Sequence, residues 1–171
     1  MKKILLIFTG GTIGSKSSGG ITNVDDTAKY RLIEKYRTQY GENAEFDSIS
    51  PINILSENLC ISHWQTLYDA VCEKLSDDSK YSGIIIAHGS DTLAYTAAAM
   101  SFLLCGIKIP VVLIAADRQI DDMRSNGVAN FAAGHGGKAH SRTAVIKELC
   151  MEEMVKNPQT VQDAPGKKSK K

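Results

Sequence analysis

Leu5-Leu6-Ile7-Phe8-Thr9-Gly10-Gly11-Thr12-Ile13-Gly14 reads as a buried strand that runs into a turn broken by glycine. Residues 4–8 are continuously apolar, as a central parallel strand covered on both faces requires. The run stops at a hydroxyl, two glycines and a second hydroxyl. Gly10 and Gly11 allow positive φ and a close approach of backbone to ligand. Thr9 and Thr12 then stand at the carboxyl end of the strand, where open α/β sheets place their ligand crevice. The same Gly-Gly pair also suits an ordinary tight turn.

Gly83-Ile84-Ile85-Ile86-Ala87 repeats the design and delivers His88-Gly89-Ser90-Asp91-Thr92. If the two strands are neighbours in one parallel sheet, Thr12, Ser90 and Asp91 face one crevice. A hydroxyl nucleophile needs an orienting partner and backbone N–H donors for the oxyanion, and two such turns supply both.

These motifs resemble the two signatures of the bacterial-type L-asparaginases and glutaminases. Leu6-x-x-Thr9-Gly10-Gly11-Thr12-Ile13-Gly14 is similar to the first. Gly83-x-Ile85-x-x-His88-Gly89-Ser90-Asp91-Thr92-Leu93 is similar to the second, with Ser90 where relatives usually carry threonine. A third stretch, Pro110-Val111-Val112-Leu113-Ile114-Ala115-Ala116-Asp117-Arg118 followed by Ser125-Asn126-Gly127 and Asn130, is similar as well. The resemblance spans residues 1–134. Two signatures in the correct order are far more specific than one Gly-rich turn.

The resemblance implies a Rossmann-like three-layer α/β domain with a mainly parallel sheet. It implies hydrolysis of L-asparagine, or L-glutamine, to the acid and ammonia. Thr12 matches the nucleophile that forms an acyl-enzyme, and Ser90 the second catalytic hydroxyl, its N–H an oxyanion donor. Asp91 matches the aspartate that binds the substrate amino group. Ser56 matches the serine that holds the α-carboxylate, and Glu57 falls where relatives have glutamine or another polar residue. No metal or organic cofactor is called for. Self-association as a homo-oligomer is implied, and a cytoplasmic location expected.

Two departures from the pattern matter. The loop Ser15-Lys16-Ser17-Ser18-Gly19-Gly20-Ile21-Thr22-Asn23 lacks the tyrosine with which relatives polarise the nucleophile, and Ile21 takes its place. The chain also ends before the family's catalytic lysine and C-terminal domain. Turnover is therefore expected to be very low or absent.

At 171 residues, one domain with a sizeable core is the expectation. A net charge of +1 gives no electrostatic case for nucleic acid or for an anionic membrane surface. The apolar run after Met1-Lys2-Lys3 is too short for a signal peptide, and no run approaches the ~18 residues of a membrane span. Cys60, Cys72, Cys105 and Cys150 form no C-x-x-C pair and read as buried reduced thiols.

Residues 14–26 read equally as an active-site lid or a surface loop. A helix capped at residues 25–27 is expected to residue 40, with Ala28, Leu32, Ile33 and Tyr36 inward and Gly41 ending it. Ser62 is expected to cap a second helix bearing Trp64, Leu67, Tyr68, Val71 and Leu75, with His63 capping or facing solvent rather than acting as a ligand. His88 is expected to be held by hydrogen bonds rather than to act as the base. Residues 92–105 read as a buried helix whose small face, Ala94, Ala97, Ala98 and Ala99, packs on the sheet. A third strand covers residues 109–115. Arg118 and Asp121-Asp122 either line the crevice or are solvated. A last helix carries Val128, Ala129, Phe131 and Ala132.

From His135 the character changes. Residues 135–171 hold eight Lys or Arg against four Asp or Glu and no aromatic residue. They read as a divergent polar tail, with a weak helix over 143–155 and disorder beyond. A shift of reading frame past codon 134 is one account of the change, tested by translating the other frames.

Two other function classes stay open at this point. A non-catalytic amino-acid-binding or assembly module is favoured by the missing tyrosine and lysine. A nucleotide-binding domain ranks last, because neither G-x-G-x-x-G nor a P-loop lysine is present.

Overall fold

The computed structural model describes residues 3–11, 13, 15–18, 21–24, 27–41, 44–76, 80–135 and 143–146. The strand that opens the chain, β1 (Lys3–Phe8), becomes the second strand of a five-stranded sheet. A two-stranded antiparallel hairpin follows, β2 (Ser15–Ser18) with β3 (Ile21–Val24), where the sequence suggested a loop. Then come α1 (Ala28–Tyr40), β4 (Glu45–Ile49), a 3-10 turn at Ser56–Asn58, α2 (Ile61–Leu75) and β5 (Gly83–Ala87). The chain continues through α3 (Leu93–Leu103), β6 (Val111–Ile114), α4 (Gly127–His135) and β7 (Thr143–Ile146).

The sheet order is β4-β1-β5-β6-β7. The first four strands are parallel, with Ile7 paired to Ile49 on one side and to Ile86 on the other, and Ile86 paired to Leu113. Alternate residues of each strand feed two cores. Leu6, Phe8, Ile85, Ile114 and Phe131 pack on one face with Leu32 and Tyr36 of α1. Leu5, Ile7, Ile84, Ile86 and Leu113 pack on the other with Leu67 and Val71 of α2 and Met100 of α3. This is the expected three-layer α/β arrangement. Because β1 connects onward to β4 on one side while β5 lies on its other side, the sheet reverses its strand order between β1 and β5. Ligand crevices in such sheets lie outside the carboxyl ends of the strands at that reversal.

Several local expectations are corrected. α2 begins at Ile61 with Cys60, not Ser62, as its N-cap: the Cys60 N–H donates to His63 Nδ1 over 3.1 Å, a reciprocal capping arrangement. α3 is not buried all round. Leu93, Thr96 and Met100 face inward, while Ala94 and Ala98 are exposed and Tyr95, Phe102 and Leu103 lie open at 68%, 79% and 42%. A helix apolar on every side carries no pattern to choose its inner face. On the inner face the Thr96 hydroxyl accepts the Trp64 indole N–H over 3.0 Å. Ala129 of α4 is exposed as well. Cys60, Cys72 and Cys105 are exposed rather than buried, and Cys150 lies outside the described residues.

The helix expected from Thr143 is also replaced. Residues 143–146 are β7, antiparallel to β6 with Ile114 paired to Thr143 and Val111 to Ile146. Thr, Val and Ile suit a strand, and the free edge of β6 offers a row of backbone groups to pair with. The remainder of the expected helix and the terminal segment lie outside the described residues.

Candidate functional site

The site is assembled from four segments at the carboxyl ends of β1 and β5. Past β1, Thr9 continues the ladder: its N–H and its hydroxyl both donate to the Ala87 carbonyl, over 3.1 and 3.2 Å. Thr9 is 3% exposed, so its hydroxyl serves the sheet and not the crevice. Gly10 and Gly11 then turn with φ of +97° and +71°, a region that side chains rarely enter. Gly10 forms a parallel bridge to Ile54, and the Gly11 N–H donates to the Ile54 carbonyl over 3.1 Å. This fixes the first turn to the segment that carries Ser56.

The second turn meets the first at Gly89. A Cβ on Gly11 would lie 2.5 Å from the Gly89 Cα, and one on Gly89 would overlap the Ser56 hydroxyl. Two backbones and the Ser56 side chain therefore converge at these glycines. Thr92, the N-cap of α3, adds a fourth tie: its hydroxyl donates to the Ser56 carbonyl over 3.0 Å and makes no bond to its own helix. Capping by a threonine is ordinarily worth about 1 kcal/mol; the Thr92 hydroxyl instead joins two loops.

The expected site residues fall as follows. Ser56 is 5% exposed and lies against Gly89. Ser90 is half-buried, and its hydroxyl donates to the Asp91 carboxylate over 3.3 Å. Asp91 is exposed at the mouth, just before α3, where a helix N-terminus favours negative charge. Glu57 is exposed beside Ser56. Thr12 lies outside the described residues, but its neighbours Gly11 and Ile13 are both buried. The structure thus brings the segments that carry Ser56, Ser90 and Asp91 together beside Gly11.

His88 is wholly buried. Its N–H extends the sheet to the Ile114 carbonyl over 2.8 Å, and its Nδ1 lies 2.8 Å from the Gly89 carbonyl. A carbonyl only accepts, so Nδ1 carries the proton and Nε2 a lone pair. Burial pushes the imidazole below its ordinary value, against a smaller upward pull from the Gly89 carbonyl. It is held rather than poised as a base, as expected.

The loop after β6 is tied separately. Asn126 Oδ1 accepts the Asp117 N–H over 3.0 Å, and the Asn126 N–H donates to Asp117 Oδ1 over 3.3 Å. Asn130, 2% exposed, donates to the Ala115 carbonyl over 2.8 Å. Arg118 and Arg124 pair with Asp122 on the surface, which favours the solvated alternative for that cluster. Sequence reasoning assigns no such roles to Thr92 and Asn130. The only sequence signal for Thr92 is its place at the end of the second motif.

With this geometry in view, the comparison with known families is decisive. The family model described as asparaginase, N-terminal, matches residues 3–161. The chain belongs to the asparaginase family. The match to its N-terminal domain runs past residue 134, where the motif resemblance stops, and takes in β7.

Among curated relatives, a glutamyl-tRNA(Gln) amidotransferase subunit of Saccharolobus islandicus is 35% identical over 129 residues, covering 75% of this chain and 28% of its own length. Among solved structures, L-asparaginase I of Vibrio cholerae superposes with a TM-score of 0.62 at 29% identity, covering 77% of this chain and 39% of that one. A probable cytoplasmic L-asparaginase of Campylobacter jejuni gives 0.63 at 27%, covering 78% and 40%. The asparaginase-family chain described here therefore spans under a third of the curated relative and about two fifths of the solved ones.

Proposed function

We propose that this asparaginase-family domain carries the crevice of an amidohydrolase acting on a small linear amide, with L-asparagine the first substrate and L-glutamine the second. One observation supports it most. Gly11 abuts Gly89 at the strand-order reversal, and Gly89 abuts Ser56, so the segments that carry the proposed groups meet at the carboxyl ends of β1 and β5.

In this reading the Thr12 oxygen adds to the side-chain amide carbon. The resulting oxyanion is met by the Ser90 backbone N–H, ammonia leaves, and water cleaves the ester that remains. Ser90 Oγ is the second catalytic hydroxyl. Asp91 holds the substrate amino group, Ser56 its α-carboxylate, and Glu57 stands at the rim. The β2–β3 hairpin follows the nucleophile in the chain as a cover would, and the absence of tyrosine there is expected to keep turnover low. Among the described residues no helix is long and apolar enough to cross a membrane. The similarity to the probable cytoplasmic enzyme of Campylobacter jejuni supports a cytoplasmic setting. A homo-oligomer belongs to the same proposal.

A second reading has its own support. The curated relatives are named amidotransferase subunits, which favours an amide opened in service of a partner that takes up the nitrogen. A non-catalytic amino-acid-binding module is the third. Ammonia release from asparagine and glutamine, with Thr12→Ala as control, separates the two amide-opening readings from the binding module. Release that Thr12→Ala abolishes supports hydrolysis, while binding of aspartate without release supports the binding module.

A further inference from the structure

Gly89 is wedged between Gly11 and Ser56, and its carbonyl is held by a side chain that the proposed chemistry does not use. The His88 imidazole is fully buried, and Nδ1 is 2.8 Å from the Gly89 oxygen. Its Nε2 is buried without a hydrogen-bond partner among the described residues. A neutral ring with its proton on Nδ1 leaves Nε2 a bare acceptor. Protonating the ring would add both a buried charge and a buried donor with nothing to receive it.

The Gly89–Ser90 peptide is trans and planar. Its N–H therefore points opposite to its carbonyl. The carbonyl faces the buried ring, so the Ser90 N–H is directed away from His88, on a residue that is half-buried and is followed by the exposed Asp91. Glycine at this position is free to rotate, and nothing in its own side chain fixes the plane. The ring fixes it. We propose that His88 is a positioning residue that clamps the Gly89 carbonyl and thereby aims the Ser90 N–H into the crevice, an inference that rests on the amidohydrolase reading. His88 touches no reacting atom. It sets the direction of a donor whose value depends on alignment with the developing oxyanion.

The test uses the full chain. In the wild type, imidazole ¹⁵N–¹H correlation spectra are expected to show His88 as a neutral ring protonated on Nδ1. In His88→Phe, which keeps a ring but no donor, the Ser90 amide resonance should shift and its proton exchange faster. In His88→Asn, whose side-chain N–H stands near the Nδ1 position, both should return toward wild type. With asparagine, His88→Phe should lower kcat roughly ten- to hundredfold with KM within about threefold, and His88→Asn should recover most of it.

A proton on Nε2, or a Ser90 amide indifferent to His88→Phe, overturns the clamp. If the buried substitutions do not fold, the wild-type tautomer alone decides it. If the wild-type chain releases no ammonia at all, the amidohydrolase reading fails by itself, and the tautomer and the Ser90 amide still judge the clamp.

Discussion

Gly11 and Gly89, far apart in sequence, meet with no room for a side chain between them: a Cβ on Gly11 would lie 2.5 Å from the Gly89 Cα and 2.6 Å from its nitrogen. The parallel pairing of β1 with β5, Phe8 opposite Ala87, carries the two turns to this contact. Gly11→Ala should therefore destabilise the fold by about 2–4 kcal/mol, through backbone overlap added to strain at a φ of +71°. Gly89→Ala should cost about 1–3 kcal/mol by displacing Ser56. Gly106→Ala, which points into open space, should change stability by no more than about 0.5 kcal/mol. Urea unfolding of the three variants checks the ranking.

Thr92 joins the second turn to the Ser56 segment through its hydroxyl. Thr92→Val keeps the shape and removes the donor. It should lower stability by about 1 kcal/mol and weaken aspartate binding several-fold, because Ser56 is then less firmly placed. Thr92→Ser, which keeps the hydroxyl, should bind within about twofold of wild type. Isothermal titration with aspartate, set beside urea unfolding, measures both effects.

Acid should loosen the fold through His88. Burial holds its imidazole below the ordinary value of 6.5. Between 6.5 and that lower value the unfolded chain binds a proton that the folded chain refuses, so stability rises with pH in this window. The contribution is complete above about pH 6.5 and is lost as pH falls toward the folded value. His88→Asn should flatten that part of the stability curve. Urea midpoints measured between about pH 5 and 8 show whether it does.

At the opposite end of the sheet, Asp47 gathers Tyr81, Lys3 and Lys80 at 2.7, 3.0 and 3.1 Å. Burial alone would raise its carboxyl. The Tyr81 hydroxyl and the two ammonium groups outweigh that and bring it to about 2. Stability from this cluster is present above the ordinary carboxylate value and is lost as pH falls toward about 2. Tyr81→Phe should cost about 1 kcal/mol at neutral pH, and less once the carboxyl is protonated. Turnover should be untouched, since the cluster lies at the amino ends of β1 and β5.

The parallel core was legible because its strands are short apolar runs bounded by glycine, and both turns announced themselves by Gly beside hydroxyls. Ser90 beside Asp91 and the closeness of Ser56 followed once β1 and β5 were neighbours. What escaped was decided by tertiary pairing. Residues 143–146 looked helical by spacing, but the open edge of β6 took them as β7. The inner face of α3, with Leu93, Thr96 and Met100, is one that no periodicity marks in a helix apolar all round. Cys72 lies on the outer side of α2 and Cys105 just past the end of α3, and both are exposed. Thr9 looked like a site hydroxyl by position, yet the Ala87 carbonyl claimed it.

The most direct test of the amide-cleaving crevice is ammonia release from asparagine by the purified chain and by Thr12→Ala and Ser90→Ala, each shown to be folded. Release in the wild type should be slow but measurable, with a loss to background in Thr12→Ala and roughly a tenfold drop or more in Ser90→Ala. Release that persists unchanged in Thr12→Ala, or its absence from the folded wild type, contradicts the account.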